Sequence, residues 1–179
     1  MSKILAFSGS NSKESINQKL VQSVSNMAQL HEVEVISLRD YEAPLYGIDL
    51  ENESGIPNSI LMLNEKFNEA SGFIVSTPEH NGSMPAVLKN TIDWLSRIKG
   101  NKVFKEMPTF FLSASPGPRG GVSALDHLVT IMPYRGAKVI GSSSFGNFHE
   151  NFKDGEISNE KLGELKNLVQ KLEEAVGKN

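Results

Sequence analysis

The chain has 179 residues, 39% hydrophobic and 22% charged, which is the length of one domain with enough apolar material for a sizeable core. Eighteen Lys and Arg against twenty-one Asp and Glu leave a net charge of -3, so a general nucleic-acid footprint is not expected. The absence of cysteine excludes disulfides, thiolate nucleophiles, cysteine-ligated iron–sulfur centres and Cys-based zinc sites.

Ile4 to Phe7 predicts a first strand, too short for a signal peptide's apolar region, and it ends in the polar turn Ser8–Ser12. No run approaches the roughly 18 apolar residues of a membrane span, so a soluble, cytoplasmic protein with no membrane partner is expected. Ile16, Leu20, Val24 and Met27 mark a helix, with Ser15 as its N-cap and Gln18 completing a capping-box pattern. Val33–Ile36 is a second strand, followed by a polar stretch from Leu38 to Pro57. Ile60, Leu63, Phe67 and Ala70 give a second helix, and Phe73–Val75 a third strand. Pro85 suits the first position of a helix whose apolar face is Leu88, Ile92 and Leu95. On that helix Asp93 and Arg97 stand four apart and can pair on its surface, and Trp94 reads as a core or subunit-interface residue. Phe110–Leu112 is the fourth strand, Leu125 to Met132 a helix, Ala137–Ile140 the start of a fifth strand, and about 158–176 a last helix.

Apolar strands alternating with amphipathic helices predict a parallel sheet covered on both faces, an α/β three-layer sandwich spanning residues 1–179 as one domain. Such sheets bind ligands at the carboxyl ends of their strands. Three loops follow strands one, three and four, at 8–15, 76–84 and 113–121, and they are the least ordinary parts of the chain.

The first loop, Ser8 to Asn17, offers glycine for a tight turn, Ser10, Ser12 and Ser15 as hydrogen-bond donors, and the free amides of a helix head. It has neither the P-loop nor the Gly-x-Gly-x-x-Gly pattern, so a phosphate site of another kind and a plain turn both remain open. Lys13 reads either as a neutralising charge or as a solvated side chain. The second loop, Ser76 to Pro85, is stiffened by Pro78 and Pro85 and turned by Asn81–Gly82, a segment able to hold backbone groups against the edge of a planar heterocycle. His80 stays open between ring platform, acid–base group and exposed turn residue, and the other histidines at 31, 127 and 149 show no metal-ligand spacing. The third loop, Ser113 to Gly121, carries Gly117, Gly120 and Gly121, which suggests close backbone approach or a simple connection. Arg119 there reads as a contact for a second substrate's phosphate or as an exposed residue.

Together the three loops resemble the NADPH-dependent FMN reductase family, which includes azobenzene, quinone and chromate reductases. The residues that carry the resemblance are Gly9-Ser10 with Ser15-Ile16-Asn17, Thr77 to Pro85 with Leu88 to Trp94, and Ser113 to Gly121. The resemblance implies a flavodoxin-like fold with a five-stranded parallel sheet of order 2-1-3-4-5, one FMN per subunit, and a homodimer or homotetramer. It implies that Ser10, Ser15 and Asn17 are phosphate ligands, with Ser12, Lys13 and Ile16 also cofactor-binding and Lys13 a substitute for a missing arginine charge. Pro78, Glu79, His80 and Asn81 become the flavin-edge loop, and Ser115 and Gly117 part of the opposing wall, with Gly120 also cofactor-binding. Two positions depart from the family pattern: Ser12 stands where the first loop usually has arginine, and His80 where the second usually has tyrosine. Lysine at 13 cannot reproduce an arginine fork.

The expected activity is hydride transfer from NADPH or NADH to bound FMN, then electron transfer to a small-molecule acceptor: a quinone, an azo compound, free flavin or a metal oxyanion. No protein acid, base, nucleophile or metal is expected to be catalytic. The alternative is a flavin-binding electron carrier or redox sensor with little turnover, against which stand the modest charge and the serine-rich rather than threonine-rich first loop. The 39–55 stretch is expected to pack at a subunit interface beside the neighbour's flavin pocket.

Overall fold

A computed structural model describes residues 2–100 and 102–178, with Asn159 described by its backbone alone. Strands β1 (Lys3–Ser8), β2 (Glu32–Ser37), β3 (Ala70–Thr77), β4 (Met107–Ala114) and β5 (Ala137–Phe145) form one parallel sheet in the order β2-β1-β3-β4-β5. The helices between them are α1 (Ile16–Ser25), α2 (Ile48–Ser54), α3 (Asn58–Glu69), α4 (Ala86–Leu95), α5 (Val122–Ile131), the single turn α6 (Phe148–Asn151) and α7 (Asn159–Val176). This is the flavodoxin-like order, with the chain reversing its direction of growth between β1 and β3. No helix among the described residues is long and apolar enough to cross a membrane.

Side-chain alternation along the strands sorts the core into two halves. Leu5 and Phe7 of β1, Phe73 and Val75 of β3 and Phe111 of β4 face α3, α4 and α5. Ile4, Ala6, Ile74, Phe110 and Leu112 face α1 and α7. The first half is aromatic: Phe67 of α3 lies 5.5 Å from Phe7 and 5.1 Å from Phe73, and Phe104 lies 5.1 Å from Phe73. In the second, Leu20, Val21 and Val24 of α1 and Leu165, Val169 and Leu172 of α7 lie in one aliphatic cluster with Phe110, Phe145 and Phe148. Each such fully buried side chain is worth about 1.5–3 kcal/mol, so both halves hold the sheet rigid beneath its loops.

Several expectations shift in detail. β3 and β5 run further than their apolar centres, through Thr77 and through the serines at 142–144, because ladder bonding continues where apolar patterning stops. The capping box at α1 is half formed: Ser15 Oγ accepts from the Gln18 amide, but the Gln18 side chain accepts from Ser8 N and donates to the Ile36 carbonyl. It thereby stitches β1 to β2. Asp93 does not pair with Arg97; it takes Lys89 at 2.7 Å, while Arg97 reaches Glu51 of α2 at 2.8 Å. Pro85 is the N-cap rather than the first residue of α4.

The 39–55 stretch is ordered. A 3-10 turn at Leu38–Tyr41 and α2 bracket a strap laid over α4. Asn90 accepts from Tyr46 N and donates to the carbonyls of Ala43 and Pro44, and the fully buried Trp94 donates its indole N–H to Pro44 at 2.8 Å. The Arg97 guanidinium beside Glu51 holds that carboxyl below its usual range, and the Tyr46 hydroxyl donates to the same oxygen. Strands β6 (Phe152–Lys153) and β7 (Glu156–Ile157), a two-residue hairpin beyond α6, carry too little periodicity to be visible in the sequence.

Candidate functional site

The carboxyl ends of β1, β3 and β4 open onto a cavity of about 320 Å3. Its floor is Ser10, Ser12, Ser15, Ile16 and Asn17; Pro78, Glu79 and His80 form one wall, and Ala114, Ser115 and Pro116 the other. Glu14 stands at the rim, its side chain 86% exposed and within 3.5 Å of Lys19.

The first loop begins by extending the sheet, with Gly9 N donating to the Ser76 carbonyl at 2.8 Å. Glycine is required there because a Cβ would lie 2.5 Å from Leu88 Cδ2, so the loop lies directly on α4. Three hydroxyls then follow one pattern. Ser10 Oγ accepts from Ser12 N, Ser12 Oγ from Glu14 N, and Ser15 Oγ from Gln18 N, each at 3.2 Å. Every one of these oxygens spends acceptor capacity on the backbone and keeps its own O–H to donate. The amides of Ile16 and Asn17, at the head of α1, have no hydrogen-bond partner among the described residues, as expected of the first helical positions. Donors without acceptors, at the positive end of a helix, suit an acceptor-only group such as a phosphate.

Asn17 is held differently from the expectation. Its Oδ1 accepts from Ser76 Oγ at 2.7 Å and Ala114 N at 2.8 Å, and its Nδ2 donates to the Ala114 carbonyl at 3.0 Å. The side chain is 1% exposed and ties α1 to the ends of β3 and β4. What remains for a ligand is its backbone amide and one N–H.

In the second loop His80 and Ser83 exchange both backbone hydrogen bonds, at 2.9 and 3.1 Å, around Asn81 and Gly82, whose φ values are 53° and 78°. This is a two-residue hairpin turn of the Asn-Gly type. It brings Pro78 and the His80 ring to the cavity and turns Asn81 out to solvent. Glu79 lines the cavity while its Oε2 accepts from Ser123 N at 3.0 Å and Ala124 N at 3.4 Å.

In the third loop Ser115 faces the cavity, and its hydroxyl donates to the Gly117 carbonyl at 3.0 Å. Gly117 and Gly120 do not line the cavity. The Gly117 carbonyl also receives Asn147 N, and Gly120, at φ 64°, lies so close to the β5 end that a Cβ would stand 2.8 Å from Gly146 N. Gly120 thus serves the packing of one loop on another, whereas a Cβ on Gly117 would meet nothing within 4 Å and only its carbonyl takes part. Lys13 is likewise exposed and off the cavity, and no Lys or Arg is among the lining residues. The expected grouping therefore holds for Ser10, Ser12, Ser15, Ile16, Asn17, Pro78, Glu79, His80 and Ser115, and not for Lys13, Asn81, Gly117 and Gly120. Glu14, Ala114 and Pro116 were missed; only their place beside motif residues marks them.

Two other hollows lack this donor pattern. One of about 380 Å3 lies between the strap and α4, lined by Tyr41, Leu45 and Val87, and Asn90 in it is already spent on the strap. A larger one, about 650 Å3, lies between the end of α1 and α7, away from the strand ends.

The family model described as NADPH-dependent FMN reductase matches residues 2–150. The quinone reductase of Escherichia coli K12 is 32% identical over 143 residues, 79% of this chain and 75% of that protein. The NADH:(hydroxy)cinnamate reductase subunit CrdA of Vibrio ruber is 31% identical over 173 residues, 93% of this chain and 83% of its own. Among solved structures, FerB of Paracoccus denitrificans, a flavoenzyme NAD(P)H:(acceptor) oxidoreductase, superposes with a TM-score of 0.83 at 26% identity, covering 99% of this chain and 98% of its own. The three-loop cavity, the strand order and these likenesses agree: the chain belongs to the NADPH-dependent FMN reductase family, as an FMN-using, NAD(P)H-dependent reductase of the quinone reductase kind.

Proposed function

We propose that residues 1–179 act as one FMN-binding domain that takes hydride from NADPH or NADH and passes electrons to a flat, electron-poor acceptor of the quinone class. The observation that carries the reading is the set of three unspent hydroxyls, on Ser10, Ser12 and Ser15, converging with the Ile16 and Asn17 amides at the head of α1. These groups would hold the phosphate. The walls at 78–80 and 114–116 would hold the ring edge, with the amide of Glu79 unpaired among the described residues. When bound, the flavin supplies hydride acceptance and electron transfer; the protein supplies its orientation.

Among the described residues, no hydrogen bond pairs a lining serine hydroxyl with a base. Glu79 is occupied by the α5 amides, and the serine hydroxyls have backbone donors rather than a base beside them. The residues of the two walls would therefore act by orienting the flavin and leaving one ring face open to a second planar molecule. Quinone-class acceptors are favoured because Pro78, His80, Ala114 and Pro116 offer a flat object contact area, while Glu79 and Ser115 between them already hold partners within the protein. The same reading includes a homodimer or homotetramer, for which Leu45 at 80% exposure and Ile48 at 52%, on the strap, supply apolar contact surface.

The test is NAD(P)H oxidation by FMN-loaded protein with and without a benzoquinone. Turnover that depends on both FMN and quinone supports the reading. Stoichiometric FMN with no quinone-dependent turnover refutes the enzymatic part of it.

A further inference from the structure

Two side chains of the second loop reach away from the cavity and into α5. Glu79 Oε2 takes the amides of Ser123 and Ala124, and Ser83 Oγ lies 2.8 Å from His127 Nδ1. Helix α5 needs such a partner: its N-cap is Gly121, in the left-handed region at φ 78°, with no side chain to cap the first turn. Two of the amides left open are those that Glu79 satisfies, and a carboxylate at a helix head is further favoured by the macrodipole. Glu79 is thus the cap of a helix that starts more than forty residues later.

That helix begins where the third loop ends. Ser123, whose amide binds Glu79, accepts from Arg119 Nη2 through its hydroxyl at 2.8 Å. A Cβ on Gly121 would sit 3.6 Å from Glu79 Cβ, so the second loop and the head of α5 are in direct contact. The third loop is pinned on its other side, with Ser115 N donating to Phe145 O at 3.2 Å and Asn147 N to Gly117 O at 3.0 Å. One hydrogen-bonded linkage, Glu79 to Ser123 to Arg119, therefore runs from one cavity wall to the third loop just beyond the other wall. None of its hydrogen bonds reaches the first loop.

We propose that Glu79 is a positioning residue: its carboxylate, seconded by the Ser83–His127 contact, fixes the separation of the two walls and so the slot for the flavin ring, independently of the phosphate loop. The proposal rests on the FMN reading above. Its consequence is a division of labour. Loosening the linkage weakens whatever the ring contributes to binding and leaves the phosphate contribution intact, whereas altering the first loop does the reverse.

Apoprotein of the wild type and of Glu79→Gln, Glu79→Ala, Ser83→Ala and Ser10→Ala is titrated with FMN and with riboflavin, and thermal unfolding is followed for each. Wild-type titrations report on the FMN reading, and the variants on the linkage. Glu79→Ala is expected to weaken both flavins by the same factor, about tenfold or more, the scale on which outer partners of a bound group act. Glu79→Gln keeps a carbonyl acceptor for the α5 amides and is expected to restore both affinities and the shape of the bound-flavin absorption band. Ser10→Ala is expected to weaken FMN alone. A Glu79→Ala protein that melts earlier yet binds both flavins as the wild type does has lost a helix cap and nothing more, and overturns the proposal. A Gln variant as weak as Ala overturns it too. If Glu79→Ala does not fold, Ser83→Ala, which disturbs no core residue, must show the same paired weakening; equal affinity to wild type then counts against the linkage.

Discussion

Removing the Asn17 side chain is a perturbation whose cost can be worked from three contacts. Asn17→Ala strips a partner from Ser76 Oγ, Ala114 N and Ala114 O, all at the buried ends of β3 and β4, where Ser76 is 0% and Ala114 2% exposed. Each buried group left unpaired costs about 1–3 kcal/mol, but the three share one site and do not add fully. Water entering from the adjoining cavity would re-pair part of them. The expected loss is about 2–4 kcal/mol, which in a chain of this size lowers the melting temperature by roughly 5–15 °C. Asn17→Asp makes a sharper control. It keeps an acceptor for Ser76 and the Ala114 amide but turns a carboxylate oxygen toward the Ala114 carbonyl, so it is expected to be at least as damaging. Urea unfolding of the apoproteins reads the effect as a lower midpoint at constant slope. A change within about 0.5 kcal/mol, the range of ordinary surface substitutions, would refute the assignment of Asn17 as the tie between α1 and the sheet.

Loss of the Ser10 or Ser12 hydroxyl should raise the FMN dissociation constant by roughly tenfold to a hundredfold, one charge-assisted hydrogen bond being worth about 1.5–3 kcal/mol; unchanged binding would remove the first loop from the phosphate site. Lys13→Ala, an exposed residue off the cavity, should shift FMN affinity by no more than about twofold to threefold at 0.15 M salt, where screening acts over about 8 Å. His80→Phe should slow single-turnover flavin reduction by less than about tenfold, since general acid–base groups supply 10²–10⁴-fold and His80 is read here as a platform. Stability should also depend on pH through Glu34, whose carboxyl is held below its usual range chiefly by the Lys66 hydrogen bond at 2.7 Å, with burial opposing and Lys3 assisting. A lowered folded value means that the unfolded chain takes up the proton first. The stability gap between wild type and Glu34→Gln is therefore full above the ordinary carboxylate value of about 4.3 and shrinks as pH falls below it; a gap that grows in acid would contradict the ion pair.

The sheet was legible because its five strands carry apolar centres such as Ile4–Phe7 and Phe110–Leu112, and the helices between them show one-sided patterns. Strand order was not legible from periodicity, which is the same for any arrangement of parallel strands; it came with the family motifs. The site's location followed from the rule for strand ends, and its hydroxyls from the serine spacing in the first loop. Long-range side-chain pairing stayed hidden. Nothing local indicates that Glu79 caps α5 or that Asn17 spans to Ala114, 97 residues away. The same blindness explains the Asp93–Arg97 expectation: spacing allowed the pair, but Glu51 on the strap offered Arg97 a partner that also accepts from Tyr46. Glycines were ambiguous for a related reason. A glycine that admits a ligand and one that admits another loop look identical in sequence, and Gly120 is of the second kind.

The central claim is that this cavity holds FMN in a state that NAD(P)H reduces directly. Anaerobic mixing of FMN-loaded protein with NADPH or NADH, followed at the oxidised-flavin absorption band, tests it in one step. The account requires the band to bleach within the mixing experiment and to return on adding a quinone. A protein that binds FMN stoichiometrically but whose band stays unchanged with either nucleotide contradicts it.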